Sequence, residues 1–478
     1  MLFYLPGWLD LNELFIVATE SKLIKPLKKE HLFYILSQFF VVPSINKSLL
    51  SPDGYLTLNA QLLQKYVRNY NHYLKFLIRE GVIVYPNNSG YKVGELSKSY
   101  RLYLPEGFDA TPITIKVTDS VLLKKYSRFL NRKKQLKSMN YLTKWLYEGL
   151  EINIKEAVAT DERELIQKLE SGDWDTITKW DERSKMLVMS RKDPRYRSIS
   201  NRAAIQRIFR GDLYHSIDDK GYRLHTNLTN LAKVMRPFVT YNGHNLGAID
   251  IKNSQPFLSL ILFNSEFWTG ARTVYSDFWR SSNIVIEKKS SIIMLAETFQ
   301  FTIDQDVNKF RDLVVNGLLY ETFAEQLTVS LGKPFSRSQA KTEMLKVFFS
   351  DNRYFIQDGA ESKPIFRQMF PGIYNIYSLI KKGNKPLLAC LLQQIESYLV
   401  LQIICKRIAK EYPLLPIFTI HDSVVTLEEY LPVVKKIMHE ELLNFIGYPP
   451  SLSEEVWRTE ADLINDGKLS QRTAIAIN

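Results

Sequence analysis

The sequence predicts an α+β fold with more than one domain, in which antiparallel strands and long helices alternate along the chain. Three observations support this prediction. The chain has 478 residues, which is too many for one ordinary domain. Its first 105 residues combine apolar helices with a short hairpin pattern. From about residue 221 onward, apolar strand-like segments are interleaved with long helices.

Composition and charge indicate a globular protein that attracts polyanions. Hydrophobic residues make up 45% of the chain and charged residues 24%, as is ordinary for a soluble protein. The net charge is +12 and the isoelectric point is about 9.2. Excess positive charge favours nucleic acid, because phosphate contacts release condensed counterions. A basic host proteome would produce the same balance, so charge alone does not identify a partner.

The cysteines and the N-terminus predict a cytoplasmic location. Cys390 and Cys405 lie in apolar helical sequence, and no Cys/His cluster has the spacing of zinc ligands. A disulfide framework is therefore not expected, which fits a reducing compartment. The N-terminus lacks a basic leader, and the most apolar stretch, 387–404, is interrupted by Gln393, Gln394 and Glu396. We expect neither a signal peptide nor a membrane span.

Residues 1–105 predict a helical domain closed by a hairpin. One helix covers 31–42 and ends at Pro43, a second covers 61–79, and a turn at 87–90 joins two strands. One face of the second helix carries four cations: Lys65, Arg68, Lys75 and Arg79. This order resembles a winged helix-turn-helix, which would align the cations with DNA phosphates. The alternative is a solvated face on a protein-docking domain.

Basic and aromatic residues are mixed through the mainly helical region 106–220. One basic cluster covers 124–137, and another contains Arg191, Lys192, Arg195, Arg197, Arg202, Arg207 and Arg210. Tyr126 and Phe129 lie within the first cluster and Tyr196 and Phe209 within the second. Such mixing is typical of a surface that follows a nucleic-acid backbone, although charge runs also occur as plain solvated faces. A more acidic stretch at 162–170 predicts a connector.

An aspartate ends the apolar strand predicted at 246–250. A helix then begins near Ser254, a plausible N-cap, with Pro256 in its first turn. Asp250 therefore lies at a strand end and points out of a sheet. Because burial of its charge is costly, either a metal ion or nearby backbone N–H groups must compensate it. Both interpretations fit this segment alone.

A second aspartate lies at the tip of a predicted hairpin. Residues 415–426 form an apolar strand, a tight turn containing His421 and Asp422, and a second strand. Here too an acid interrupts a β-rich apolar run. A turn aspartate that bonds its own backbone is the alternative.

A helix with two cations and two apolar residues on one face is predicted from Ser336, which can act as its N-cap. The face contains residues at four-residue steps: Arg337, Lys341, Leu345 and Phe349. Such a face suits a nucleotide, with phosphates at one end and the base at the other. An amphipathic helix with its cations at the solvent boundary is the alternative.

Taken in order, these three segments resemble motifs A, B and C of family A DNA polymerases and phage-type single-subunit RNA polymerases. The resemblance covers roughly residues 221–430. Upstream, 221–231 and 235–238 are similar to the segment that precedes motif A in bacterial DNA polymerase I. The resemblance implies a right-hand polymerase fold with an antiparallel-sheet palm. It places the palm at 221–478, helical fingers at about 275–365 and a thumb-like or connector region at 106–220, after the winged-helix-like domain.

The implied activity is template-directed nucleotidyl transfer, of the DNA polymerase type, on a DNA primer–template with nucleoside triphosphates. Asp250 and Asp422 would hold two Mg²⁺ ions, or Mn²⁺, with the Ile251 carbonyl as a further ligand. Arg337 and Lys341 would pair with the triphosphate, and Lys341 would also donate a proton to pyrophosphate.

The resemblance also implies contacts with the base, the sugar and the duplex. The implied substrate contacts are Leu345, Phe349, Gln255 and His421. The implied duplex contacts are Arg223, Asn230 and Gln394, on segments that contact the primer terminus or the duplex in the family.

Three residues depart from the family pattern. Ser423 replaces the glutamate that DNA polymerases usually have after the motif C aspartate, as it does in phage-type RNA polymerases. Gln255 falls where a residue screens the sugar 2′ position, which is glutamate in the DNA enzymes and glycine in the RNA enzymes. Ser350 replaces a glycine after Phe349.

Two alternatives to a DNA polymerase follow. One is a single-subunit RNA polymerase or primase-like enzyme. The other is a non-catalytic DNA-binding replication or regulatory protein with an inactive palm. By analogy, the winged helix suggests a phage, plasmid or other mobile element.

Overall fold

The computed structural model describes residues 1–20, 27–86, 97–131, 139–181, 186–301, 305–459 and 462. These divide into two compact units. The first contains Met1–Ser216, His225–Asn245 and the chain from Trp457 onward, and the second contains Ile217–Leu224 and Leu246–Val456. The first unit thus includes the predicted region 1–105 and residues 106–216 of the predicted region 106–220, and the finer domain boundaries stay predictions.

The first unit is mainly helical. Its helices are α1 (Leu11–Glu20), α2 (Lys29–Ile45), α3 (Ala60–Tyr66), α4 (Tyr70–Arg79), α5 (Ser120–Asn131), α6 (Asn140–Glu148), α7 (Ile154–Ser171), α8 (Pro194–Phe209) and α9 (Asn227–Asn230). Helix α2 forms its centre, because its apolar residues cover the whole circumference and 32–40 are all buried.

Short antiparallel strands pack beside these helices. They are β1 (Leu2–Pro6), β2 (Leu56–Thr57), β3 (Ile83–Val84), β4 (Ser99–Leu102), β5 (Pro112–Lys116), β6 (Leu150–Ile152), β7 (Thr176–Asp181), β8 (Met186–Arg191), β9 (His215–Ile217), β10 (Leu224–Thr226) and β11 (Val239–Tyr241). Strand β1 pairs with β5, and β7 pairs with β8. Strands β2, β4 and β3 form a sheet in that order, and β3 packs against α4.

Two helix boundaries in the first unit differ from prediction. Helix α2 continues past Pro43 to Ile45, because its last turn is closed by the Asn46 N–H donating to the Val42 carbonyl, a bond that does not use the proline nitrogen. The helix predicted over 61–79 is divided into α3 and α4, because Val67 leaves the helical conformation and ends α3. The predicted turn at 87–90 and the basic residues at 132–137 lie outside the described residues.

The prediction that the second basic cluster lines a nucleic-acid surface is wrong for two of its arginines. Arg202 and Arg207 are buried, with 3% and 4% of their surface exposed. Arg202 pairs with Asp161 of α7, and Arg207 pairs with Asp212. The sequence pattern did not indicate burial, because the buried acid that pairs with Arg202 lies 41 residues away.

The second unit packs helices around one sheet. Its helices are α10 (Ser254–Ser259), α11 (Ser265–Thr269), α12 (Thr273–Ser281), α13 (Lys289–Phe301), α14 (Gln305–Val315), α15 (Leu319–Leu331), α16 (Arg337–Phe349), α17 (Ser362–Met369), α18 (Pro371–Lys381), α19 (Leu387–Ser397), α20 (Cys405–Glu411) and α21 (Leu431–Ile446). A π-helical segment, Tyr398–Ile404, joins α19 to α20.

The sheet of the second unit is antiparallel, with β12 (His244–Ile251) in its interior. Strand β12 begins in the first unit and pairs with β14 (Ser423–Leu427) on one edge and β15 (Leu452–Val456) on the other. Strand β13 (Ile417–Ile420) extends the sheet beyond β14. Gly247 permits this packing, because a Cβ there would lie 2.6 Å from the Leu431 side chain.

The longest apolar helix belongs to the core of the second unit. The segment Leu387–Glu411 is the one helix in the described residues that is long and apolar enough to cross a membrane. Its most apolar window is 67% buried inside the protein, and it contains Gln394 and Glu396, which are also buried. A core helix meets the same length and hydropathy criteria as a membrane span.

Candidate active site

The sheet register brings the two motif aspartates together. Asp250 lies near the end of β12, and Asp422 lies in the two-residue turn between β13 and β14. Ile249 pairs with Val424, and Ser423 begins β14 beside Asp250. The Ser423 hydroxyl donates a 2.5 Å hydrogen bond to Asp250 Oδ1, across 173 residues of sequence. The predicted strand end and hairpin tip are therefore confirmed.

Both turns beside the acids contain a residue in the left-handed conformation. His421 has φ of 57° and leads directly into Asp422. Asn253 has φ of 52° and occupies the N-cap position of α10 without a side-chain cap bond. The prediction that Ser254 caps this helix is therefore wrong, because Ser254 is its first helical residue. Non-glycine residues adopt this conformation at an energetic cost and are concentrated at functional sites. The strain is consistent with turns that hold the acid-bearing strands in place.

The Asp250 carboxyl is in an environment that disfavours its charge. Burial raises its pKa above the ordinary value, and the neighbouring Asp422 charge raises it further. The Ser423 hydrogen bond and the Lys341 charge act in the opposite direction. Two carboxylates that repel each other are a donor set for a hard cation such as Mg²⁺, whose charge would relieve the repulsion.

Helix α16 presents the predicted face toward solvent. Ser336 caps it, as predicted, by accepting a hydrogen bond from the Gln339 N–H. The Gln339 side-chain oxygen in turn accepts a hydrogen bond from the Ser336 N–H. Lys341 and Leu345 are exposed and Phe349 is half-buried. Arg337 forms a 2.6 Å ion pair with Glu321. Lys341 is thus the α16 residue whose charge reaches Asp250, while Arg337 contacts the preceding helix.

Two buried lysines hold the C-terminal end of α16. Lys381 Nζ donates to the Val347 carbonyl at 2.7 Å and to the Ser350 carbonyl at 3.3 Å. Lys363 Nζ donates to the Asp351 carbonyl at 2.6 Å. Burial lowers the pKa of Lys381 to about 7 and that of Lys363 to about 8. Cations at a helix C-terminus satisfy carbonyls that have no partner within the helix.

A buried glutamate next to the acid pair was not among the predicted site residues. Glu396 of α19 has 1% of its surface exposed and receives Arg223 Nε and Nη2, each at 2.8 Å. Gln255 Nε2 donates to the same carboxylate at 2.8 Å. Burial raises the pKa of Glu396 to about 7, and the Asp422 and Asp250 charges contribute. The signal in the sequence was a glutamate within an apolar helix, which predicts a buried charge with a partner.

The predicted duplex contacts are differently placed. Gln394 is buried, and its amide bonds the Lys220 carbonyl, Asn283 and Ser282. Asn230, in the first unit, donates to the Ile45 carbonyl and to Tyr214. Contact of these residues with a duplex would require exchange of those bonds.

The predicted basic stripe is accessible. Lys65, Arg68, Lys75 and Arg79 are all exposed on or beside α3 and α4 of the first unit. The cations are exposed, but the prediction that they share one helix face is wrong, because Lys65 lies on α3, Arg68 lies between the helices, and Lys75 and Arg79 lie on α4.

Comparisons with known proteins do not show a family for this chain. No protein-family model matches the sequence, and no curated protein matches it. Among solved structures, the chain is similar to the POL domain of Pol1 from M. smegmatis, which was solved in complex with DNA primer-template and dNTP. The TM-score is 0.33 at 10% sequence identity, over 71% of this chain and 73% of that chain.

Proposed function

We propose that this protein is a template-directed nucleotidyltransferase of the DNA polymerase type. One observation carries the proposal. Asp250 and Asp422 come from distant parts of the sequence, lie at adjacent strand ends, and leave the Asp250 carboxyl with a raised pKa. This arrangement favours a divalent cation as the charge partner, because neighbouring carboxylates without a cation repel each other.

The residues fit magnesium. Carboxylate oxygens are the ligands that Mg²⁺ prefers, and its remaining positions are filled by water and phosphate. Two such ions, held by these acids, would supply activation of a primer 3′ hydroxyl and neutralisation of a triphosphate. Ser423 fixes the orientation of the Asp250 carboxylate through its hydroxyl. The Ile251 backbone carbonyl is the proposed further ligand.

The α16 helix is the proposed binding surface for the incoming nucleotide. Lys341 is exposed and its charge already acts on Asp250, which suits pairing with a triphosphate and proton donation to pyrophosphate. Arg337 would exchange Glu321 for phosphate. The exposed Leu345 and half-buried Phe349 supply an apolar surface for the base. His421 precedes Asp422 in the turn and is a proposed substrate contact.

A DNA-binding role for the first unit accompanies this proposal. Helices α2, α3 and α4 with the sheet β2, β4 and β3 follow the element order of a winged helix-turn-helix. The exposed stripe would pair with DNA phosphates. In the second unit, Arg223 is a further proposed nucleic-acid contact. Gln394 and Asn230 would also contact the duplex, after exchanging their present hydrogen bonds for bonds to DNA.

A single-subunit RNA polymerase or primase-like enzyme is the second candidate. It is favoured by Ser423, which follows Asp422 and bonds Asp250 where DNA polymerases of the family carry a glutamate. A non-catalytic DNA-binding protein is the third. This third candidate predicts DNA binding without nucleotide incorporation, and DNA binding that does not depend on Asp250 and Asp422.

Primer extension tests the proposal. The protein is mixed with a labelled primer on a DNA or an RNA template, with dNTPs or NTPs, and with Mg²⁺ or Mn²⁺. Wild type extends the primer, whereas Asp250→Asn and Asp422→Asn do not, because each loses a metal ligand. Asp312→Asn is the matched control, since this acid is 63% exposed and pairs with Arg311.

Fluorescence anisotropy with the same duplex completes the test. The two site variants should bind DNA with nearly wild-type affinity. Absence of incorporation by wild type with both sugars and both metals would overturn the polymerase proposal. DNA binding that persists in that case would support the non-catalytic alternative.

A further inference from the structure

A cavity of about 300 Å³ lies in the first unit, where the start of α2 meets the connection between α3 and α4. Its lining includes basic, polar and aromatic residues: Lys28, His31, Arg68, Asn69, His72 and Tyr73. The break in the helical sequence at Val67 places Arg68 and Asn69 between α3 and α4. Both residues can therefore line the cavity together with the start of α2.

Tyr73 joins the two sides of the cavity. Its side chain is buried, and its hydroxyl accepts a 2.9 Å hydrogen bond from the Lys28 backbone N–H. The same hydroxyl lies 3.3 Å from His31 Nδ1, and the centroids of the two rings are 5.9 Å apart. Hydrogen bonding and ring contact thus hold α4 against the start of α2 within one unit.

The cavity gathers cationic side chains. Lys28 and Arg68 are exposed, while His31 and His72 are half-buried. Lys28, Arg68 and His72 form no ion pair with another described residue. Burial lowers the pKa of His31, and the Lys28 charge lowers it further. Cations that share a cavity favour an anion from outside the chain, just as neighbouring carboxylates favour a cation.

The acids close to this cavity already have hydrogen-bond donors. No acidic side chain is among the described residues that line it. The charges of Asp119 and Glu30 act on His31, but both carboxylates are engaged outside the cavity. Asp119 accepts from the Leu122 N–H at 2.9 Å, and Glu30 accepts from the Asp119 N–H at 2.8 Å. The positive charge of the lining is therefore available to a ligand.

The lining suits a phosphate group that carries an organic substituent. The Arg68 guanidinium offers several N–H donors to phosphate oxygens, and the Lys28 ammonium adds a compact charge. Leu27 and the Tyr73 ring supply apolar surface for the substituent. A terminal phosphate carries a charge of about −1.5 to −2 at neutral pH, and so gains more from two cations than a singly charged phosphate within a strand.

We propose that this cavity binds a phosphomonoester, with Arg68 and Lys28 pairing with the phosphate and the attached nucleoside packed against Leu27 and Tyr73. Two sources supply that chemistry: a free nucleoside monophosphate and the 5′-phosphorylated end of a nucleic-acid strand. The site is distinct from phosphate contacts along a strand, which the exposed stripe would make. It lies in the first unit and does not rest on the proposed polymerase function.

Binding measurements on the whole chain distinguish the two sources. Calorimetry compares AMP with adenosine in the presence of EDTA, so that no metal ion at Asp250 and Asp422 can hold the phosphate. AMP should bind about tenfold more tightly or better, as expected for charge-assisted hydrogen bonds to the phosphate. Anisotropy, also in EDTA, compares two single strands of one sequence, labelled at the 3′ end, with either a 5′-phosphate or a 5′-hydroxyl.

A preference for AMP alone identifies the free nucleotide as the ligand. A preference for the phosphorylated strand identifies the strand end. Equal binding of AMP and adenosine, together with equal binding of the two strands, would overturn the proposal.

Three variants assign the preference to the cavity. Arg68→Gln and Lys28→Gln should each reduce the preference for the phosphorylated ligand about tenfold, because each removes a charged donor. Lys29→Gln is the matched control, since this exposed neighbour of Lys28 has the same charge and does not line the cavity. Thermal unfolding of each variant records any loss of folding separately.

The control separates the cavity from the general positive charge of the chain. A preference that survives both Arg68→Gln and Lys28→Gln would overturn the site. Equal losses in Lys29→Gln and Lys28→Gln would do the same, because charge alone would then explain binding. These measurements contain no incorporation step, so failure of this site leaves the polymerase proposal untouched, and failure of primer extension leaves this site untouched.

Discussion

The two units each hold an acid in a contrasting environment: Asp161 in the first unit is buried, and Asp250 in the second is half-buried. In the first unit, Asp161 receives Arg202, Ser198 and Asn201, and the arginine also reaches Asp109. In the second unit, the strongest charge beside Asp250 is another acid, Asp422. A buried acid with several donors stabilises a fold, whereas two adjacent acids indicate a cation from outside the chain.

The largest expected effect is on catalysis. Asp250→Asn should reduce nucleotide incorporation by about a thousandfold or more, because a metal ligand at the reacting groups is lost. Without metal, the variant should be as stable as wild type or more stable, since the raised pKa of Asp250 shows that its charge is disfavoured in the folded state. Primer extension and urea unfolding measure the two quantities. If the variant is less stable than wild type, the Asp250 charge stabilises the fold, as the Asp161 charge is expected to do.

The matching change in the first unit should affect stability. Asp161→Ala leaves the Arg202 charge buried without its buried acid partner, so the free energy of unfolding should fall by about 3–5 kcal/mol. Glu162→Ala is the control, because that acid is 56% exposed and should change stability by less than about 1 kcal/mol. Urea unfolding measures both variants. Equal effects would show that the Asp161 network contributes little.

A third kind of buried charge is paired with carbonyl groups. The pKa of Lys381 is about 7 when folded, below its unfolded value, so the penalty for burying its charge is fully present below pH 7. As pH rises toward the unfolded pKa, the unfolded state binds more protons and stability increases. The Lys381 contribution is about 1.4 kcal/mol per pH unit at most.

Unfolding at several pH values between 7 and 10 tests this contribution. Lys381→Met should show a smaller increase of stability with pH than wild type. Lys382→Met, an exposed neighbour, should follow the wild-type curve. Parallel curves for all three proteins would contradict the assignment.

The smallest expected effect concerns the basic stripe. If Lys75 pairs with a DNA phosphate, Lys75→Ala should reduce the slope of log K against log salt by about 0.9, because one fewer counterion is released. Affinity for different sequences should fall uniformly. Anisotropy titrations at several salt concentrations measure the slope. An unchanged slope would favour the docking-domain interpretation of this face.

Local patterns were sufficient for the elements that carry the proposed motifs. The strand ending near Asp250, the hairpin tip at His421 and Asp422, and the Ser336 cap are all as predicted. Each depends on a few adjacent residues, because strand alternation, turn geometry and helix capping act over short sequence distances. Helical spacing did not predict the break at Val67, so the stripe residues are exposed without sharing one helix face.

The sequence by itself therefore determined which segments carry the acids and how each segment folds locally. The tertiary structure decided which charges are neutralised and by which partners. Glu396 meets Arg223 across 173 residues, and Arg202 meets Asp161 across 41. The physical reason is that the burial and pKa of a charge depend on neighbours supplied by distant segments, which no local pattern specifies.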